Sequence, residues 1–172
     1  PSLIPPNDIS MNTGRIDHQD IRIGTLVGGN ARSADTIAQI LPHGFESFEI
    51  TFWQELGDCD VGALARDVRK TLDGSGAVIS ALGIFGNPLD PSAAKHEKTL
   101  EGWKTCIDNA HLFGADLVCG FAGRLIDKPI DASMKAYKKI FGELSKRAAD
   151  KGVRLAFENC CMGGSWNAGD WN

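Results

Sequence analysis

The segment AAKHEKTLEGWKTCIDNAHLFGADLVCGF, residues 93–121, decides the fold class, because it joins an amphipathic stretch to a short apolar run. In its first part apolar residues recur at three- and four-residue intervals while charged residues occupy the other face, which predicts a helix with one buried stripe. That predicted stripe consists of Leu100, Trp103, Ile107, Ala110 and His111. Phe113-Gly114 supplies the glycine expected where a helix ends, and the run at residues 115–121 has the composition of a strand.

The same unit recurs along the chain from residue 21 onward. We predict strands at Ile21–Val27, Phe45–Phe52, Ala77–Phe85, Ala115–Phe121 and Val153–Phe157. We predict helices at Ser33–Leu41, Val61–Thr71, Ala93–Leu112 and Ser133–Lys151, the last with a stripe of Met134, Tyr137, Ile140, Phe141 and Leu144. Alternation of this kind is typical of α/β proteins with a parallel sheet, either an open doubly wound sheet or a closed (β/α)8 barrel. Periodicity does not separate the two.

Length and the first turn bear on that choice. The chain has 172 residues, whereas a complete barrel has about 250. An open sheet of five strands fits the length, but such sheets carry a glycine-rich phosphate fingerprint after the first strand. The corresponding turn here is VGGNAR, residues 27–32, which lacks the GxGxxG pattern.

Composition excludes several classes of protein. The chain is 42% hydrophobic and 23% charged, which is typical of globular domains. Its formal net charge of −4 leaves no broad basic field for nucleic acid, and no run approaches the roughly 20 apolar residues of a membrane span. Five scattered cysteines without a CxxC pair fit a reducing compartment. We therefore expect a cytoplasmic protein without nucleic-acid or membrane partners, in which residues 1–20 form an arm and residues 21–172 belong to one domain.

In parallel α/β folds, ligands meet the carboxyl ends of the strands. Along the second predicted strand, alternation places Glu49, Thr51 and Trp53 on one face. Glu49 is either a carboxylate in a polar mouth or a strand residue paired with a neighbouring Lys or Arg. Asn87 and Arg124 follow the third and fourth predicted strands and are candidate ligand-binding residues by position.

Glu158 gives a sharper signal, because it directly follows the apolar run LAF, residues 155–157. A carboxylate that ends a buried strand needs a cation or a hydrogen-bond donor, so metal binding or proton transfer is favoured over a salt bridge to a neighbouring strand. The following loop contains Asn159 and Trp166, and such amides and aromatic faces are suited to sugar hydroxyls and C–H faces. The vicinal Cys160-Cys161 pair is interpreted as structural.

Three segments in order resemble the sugar phosphate isomerase/epimerase family, which are xylose-isomerase-like TIM barrels. They are GFESFEI at residues 44–50 before Trp53, IDNAHLFGADLV at residues 107–118, and GVRLAFEN at residues 152–159. The resemblance implies a (β/α)8 TIM barrel of which this chain supplies roughly strands 1–5, a partial barrel. It also implies a divalent metal on the glutamate after strand five, which is Glu158 here, and a role for that glutamate as the base that moves a proton next to a carbonyl.

The resemblance leads to a ranked set of functions. First is a metal-dependent isomerase or epimerase of a ketose, inosose or related sugar, with manganese as the expected metal and magnesium, cobalt or zinc as alternatives. Its substrate-binding residues would be Glu49, Trp53, Asn87, Arg124, Asn159 and Trp166. The alternatives are a lyase or dehydratase of the same family, including enzymes that cleave carbon-linked glycosides, and a non-catalytic carbohydrate-binding half-barrel. Unpaired strand edges would favour a homo-oligomer.

A related branch of the family, the abasic-site endonucleases, ranks last. Those enzymes hold three zinc ions on histidines near the ends of strands two to four. Here the end of the third predicted strand is GIFGN, residues 83–87, which has no histidine, and the acidic net charge is unfavourable for DNA.

Overall fold

The structure is a computed structural model that describes residues 21–158 and residue 160. Its strands are β1 (Gly24–Gly28), β2 (Ser47–Phe52), β3 (Val78–Ile84), β4 (Leu117–Phe121) and β5 (Arg154–Glu158). Its α-helices are α1 (Ser33–Ile40), α2 (Val61–Leu72), α3 (Ala93–Asn109) and α4 (Ile130–Asp150). Short 3₁₀ turns, Leu41–His43 and Ala110–Phe113, follow α1 and α3. Within the described residues, no helix is both long enough and apolar enough to cross a membrane.

Strand order decides between the two architectures that periodicity leaves open. The five strands pair in parallel and in sequence order, β1-β2-β3-β4-β5. A doubly wound sheet reverses its strand order at a switch point, and the described strands show no reversal. The sheet therefore has the singly wound topology of a TIM barrel, and the chain supplies five of its strands.

The two faces of the sheet pack differently. The main core lies between one face of the sheet and the helices, where strand residues Phe48, Ile50 and Leu82 pack with Trp103 and Ile107 of α3. A smaller buried cluster on the opposite face consists of Ala81, Phe85 and Cys119. Because the helices cover the first face, the opposite face is the inner face of the barrel. The candidate site lies there.

The predicted breaks between helix and strand are confirmed at two glycines. Gly44 and Gly114 follow the two 3₁₀ turns with φ angles of 90° and 74°. These angles lie in the left-handed region, which glycine adopts without the steric cost of a Cβ atom. Each glycine therefore ends its helical segment and turns the chain toward the next strand.

Some details of the predicted helices are wrong. The stripe on α3 does not include His111, which is exposed, because the chain tightens into a 3₁₀ turn at Ala110 and the helical phase is lost. Helix α4 begins at Ile130 and not at Ser133, whose side chain instead accepts a hydrogen bond from the backbone N–H of Leu125. Met134, assigned to the buried stripe, is 42% exposed. It lies in the first turns of α4, before the stretch that packs on the sheet.

The fifth strand is less buried than its apolar sequence predicts. Phe157 is 43% exposed and Glu158 is exposed. Among the described strands, β5 pairs only with β4, so it lies at an edge of the sheet. Phe157 still packs edge-on against Phe141 of α4, with ring centroids 4.7 Å apart.

Candidate functional site

The site lies on the inner face of the sheet and extends from the middle of β2 and β4 to the carboxyl end of β5. Register places Thr51 of β2 beside Gly83 of β3, and Gly83 beside Cys119 of β4. Two residues further along β4, Phe121 pairs with Glu158 of β5. Since side chains alternate between the two faces of a strand, Glu49 and Thr51 share the inner face. The fold therefore brings a carboxylate, a hydroxyl and a thiol together on the inner face of the sheet.

Glu49 is held in place by its neighbours on β2 and β3. The hydroxyl of Thr51 donates a hydrogen bond to Glu49 Oε1 across 3.2 Å. Gly83 leaves the space that this carboxylate occupies, because a Cβ atom at Gly83 would collide with Glu49 Oε1 and with the ring of Phe85. Within residues 21–158, no ion pair involves the Glu49 carboxylate, so the alternative of a strand salt bridge has no support there.

Glu49 contributes to the raised pKa values of two further ionisable groups. The pKa of the Cys119 thiol is raised by its burial and also by the charge and hydrogen bonding of Glu49, so the thiol stays protonated. The pKa of Glu158 is raised by the partial loss of solvent around its carboxyl group and by the charge of Glu49. Glu49 and Glu158 are therefore near enough to interact electrostatically, and these two carboxylates of the inner face are called the carboxylate pair below.

An aromatic wall lies beside the carboxylate pair. It consists of Trp53, Phe85 and Phe121, whose ring centroids are 6.3 Å apart for Trp53 and Phe85 and 4.9 Å apart for Phe85 and Phe121. The wall borders a cavity of about 450 Å³ between the loops that follow β2, β3 and β4. Asn87 and Ile126 also line this cavity.

Asn87 and Arg124 contact each other. The contact joins the side-chain amide of Asn87 to the backbone of Arg124, not to its guanidinium. Asn87 Nδ2 donates to the Arg124 carbonyl across 2.9 Å, and Asn87 Oδ1 accepts from the backbone N–H groups of Arg124 and Leu89 at 3.1 and 3.0 Å. The Arg124 guanidinium donates to the Lys128 carbonyl across 2.8 Å. The amide of Asn87 thus joins the loop after β3 to the loop after β4.

Removing that link is expected to loosen both loops. We expect Asn87→Ala to lower the free energy of unfolding by about 1–3 kcal/mol, because backbone groups of Leu89 and Arg124 lose their partner. Amide hydrogen exchange at these two residues should accelerate. Asn109→Ala is the matched control, since the amide of Asn109 donates to the Thr105 carbonyl within α3 and does not join two loops. Unchanged exchange at Leu89 and Arg124 in Asn87→Ala would contradict the role of the amide.

The donor set for a metal is incomplete in the described part of the chain. Within it, no group of three or more His, Cys, Asp or Glu residues is arranged to hold a metal ion. The carboxylate pair nevertheless supplies hard oxygen donors of the kind that Mg²⁺ and Mn²⁺ prefer. The exposed carboxylate of Glu158 at the end of β5 could therefore supply one ligand to a divalent metal.

Two predicted site residues, Asn159 and Trp166, lie outside the described residues. Conversely, Gly83 and Cys119 belong to the site but were not predicted as site residues. Inward alternation from the strand run ADLVCGF could have placed Cys119 on the inner face, as it did for Glu49. No sequence pattern identifies Gly83 in the same way. Its lack of a side chain leaves space for the Glu49 carboxylate of a neighbouring strand.

Comparisons with known proteins agree on the architecture. Residues 37–171 match the profile of the family described as xylose isomerase-like TIM barrel. Similar solved structures include an L-ribulose 3-epimerase (19% identity, TM-score 0.63, 84% of this chain and 51% of that chain). They also include a D-psicose 3-epimerase in the presence of D-fructose (14% identity, TM-score 0.57, 78% and 51%). A third is a xylose isomerase-like TIM barrel protein from Mycobacterium smegmatis in complex with magnesium (19% identity, TM-score 0.61, 83% and 56%).

The matched part of each of these three structures is 51–56% of its own length, so this chain spans about half of them. No protein of curated function matches the sequence significantly.

Proposed function

The chain belongs to the xylose isomerase-like TIM barrel family, and from that premise we propose that it is part of a metal-dependent isomerase or epimerase of a ketose, inosose or related sugar. The observation that carries the proposal is the carboxylate of Glu158 at the carboxyl end of β5, near enough to Glu49 in the middle of β2 for their charges to interact. This is the end of the barrel at which TIM-barrel enzymes place their chemistry.

In the proposed mechanism, Glu158 removes a proton from the carbon next to the substrate carbonyl and returns it to that carbon or its neighbour. The carboxylate of Glu158 suits this role because it is exposed at the carboxyl end of β5, where a substrate can reach it. Glu49, oriented by the Thr51 hydroxyl, would accept a hydrogen bond from a sugar hydroxyl. A divalent cation, when held by Glu158, would polarise the carbonyl and acidify the adjacent C–H bond.

We propose manganese as the metal, with magnesium, cobalt or zinc as alternatives. The magnesium complex of the Mycobacterium smegmatis structure supports a divalent cation in this fold. The two ketose 3-epimerases among the similar structures support a ketose as substrate. A lyase or dehydratase remains the alternative reaction, since it begins with the same proton removal.

The same proposal includes the organisation and location of the protein. We propose an N-terminal arm at residues 1–20 and one domain over residues 21–172. We also propose a cytoplasmic location and homo-oligomerisation through the edge strands.

Proton exchange with solvent tests the proposal directly. The chain with added Mn²⁺ is incubated with D-fructose and a panel of other ketoses and inososes in D₂O, and deuterium entry next to the carbonyl is followed by NMR. We expect exchange with at least one substrate and its loss on addition of EDTA. Absence of exchange across the panel, with metal content verified on the same sample, would contradict the proposed reaction class.

A second candidate is sugar binding without catalysis, favoured by one observation. Trp53 is 68% exposed at the mouth, where an aromatic face is available to a sugar ring. Sugar binding that is unaffected by EDTA, in the absence of any proton exchange, would support this candidate instead.

A further inference from the structure

We propose that the cavity bounded by the aromatic wall is a subsite for a second ring attached to the sugar, so that the substrate is a glycoside. The proposal deepens the proposed function, on which it rests for the position of the reacting sugar. It adds a binding site for a flat ring with an apolar face next to the carboxylate pair.

The position of the cavity supports this assignment. Gly83 touches the carboxylate of Glu49, and Phe85 follows two residues later on the same strand and lines the cavity. Two residues of a parallel strand span about 6.6 Å. A sugar at the carboxylate pair would therefore leave a substituent on its ring one short linkage from the cavity.

The lining of the cavity fits a ring. Phe85 and Phe121 meet edge to face, with an interplanar angle of 72°, and the ring of Trp53 is tilted by 38° against that of Phe85. Trp53 is 68% exposed, although a large aromatic side chain gains stability when it is covered. A ring placed against Trp53 would cover that surface. With a volume of about 450 Å³, the cavity lies within the usual range for small-molecule sites.

The charged residues that line the cavity indicate that the second ring carries oxygen atoms. Lys98 is paired with Glu55, and both residues line the cavity. Lys95 also lines it, and in the described part of the chain Lys95 forms no ion pair. Its ammonium group is thus available to a hydroxyl or phenolic oxygen at the edge of the ring.

Two ligands that differ in the second ring measure the contribution of that ring to binding. Binding of phenyl β-D-glucopyranoside and of methyl β-D-glucopyranoside is measured by isothermal titration calorimetry on the full chain. We expect the phenyl glucoside to bind about tenfold more tightly, since one aromatic stacking contact contributes about this much. The preference should fall to about onefold in Trp53→Ala and stay unchanged in Met134→Ala, an exposed apolar residue outside the cavity lining.

Cellobiose, tested in the same way, distinguishes the two sources of a second ring. A preference for cellobiose over the methyl glucoside that depends on Trp53 assigns a sugar ring, and one for the phenyl glucoside assigns an aromatic group. Equal or undetectable binding of all three ligands, or a preference that survives in Trp53→Ala, would overturn the subsite. Proton exchange into D-fructose without any second-ring preference would support the proposed function and overturn the subsite. A second-ring preference without proton exchange would support the subsite and contradict the proposed function.

Discussion

Replacement of Glu158 by glutamine is expected to reduce solvent proton exchange into the ketose substrate by about 10²–10⁴-fold. Glutamine keeps the size of the side chain but neither accepts the proton nor carries the negative charge that a divalent cation needs. The residue is exposed at the end of β5, so the substitution should leave the fold intact. Exchange is measured by NMR in D₂O, and metal content is measured on the same sample to separate loss of the base from loss of the cation.

The matched control is Glu97→Gln, an exposed glutamate of α3 that does not line the cavity beside the site. It should exchange protons at the rate of the unmodified chain. If Glu158→Gln retains full activity with the same metal content, Glu158 is not the base.

The largest effect on stability is expected from Trp103→Ala. Trp103 is fully buried between the sheet and the helices, and its ring meets that of Phe141 edge to face at a centroid distance of 5.3 Å. Truncation of such a residue removes the buried surface and leaves a cavity, which lowers the free energy of unfolding by about 3–5 kcal/mol. Urea denaturation followed by circular dichroism measures the change.

Trp53→Ala serves as the control for this prediction, because it removes the same side chain from an exposed position. We expect it to change the free energy of unfolding by about 0.5 kcal/mol or less. Similar losses for the two tryptophans would show that burial of Trp103 between sheet and helices does not govern stability.

The order and type of the elements could be predicted because each is encoded locally. The apolar stripe of α3, the glycines that follow the helices and the β-branched runs all act within a few residues of one another. Local patterns predicted the burial of two side chains incorrectly, because burial depends on packing. His111 is exposed because a 3₁₀ turn interrupts the helix. Phe157 is partly exposed because its strand lies at an edge of the sheet.

The candidate site was predicted in part for the same reason. Glu49 and Glu158 are visible as carboxylates at strand positions, and strand alternation assigns Glu49 a face. Asn87 was predicted as a substrate-binding residue from its position after β3, and that role remains a proposal. The link that its amide makes to the loop after β4 involves backbone groups 37 residues away, which leave no pattern in the sequence.

By itself, the sequence determined an α/β chain with alternating strands and helices and a carboxylate on each of two strands, because hydrophobic periodicity and glycine conformation are local properties. Only the tertiary structure decided between a doubly wound sheet and a barrel, because strand order depends on which strands pair and not on their composition. It likewise placed Gly83 against the carboxylate of Glu49, and Phe85 against Phe121. These contacts join residues far apart in the chain, so packing alone brings them together.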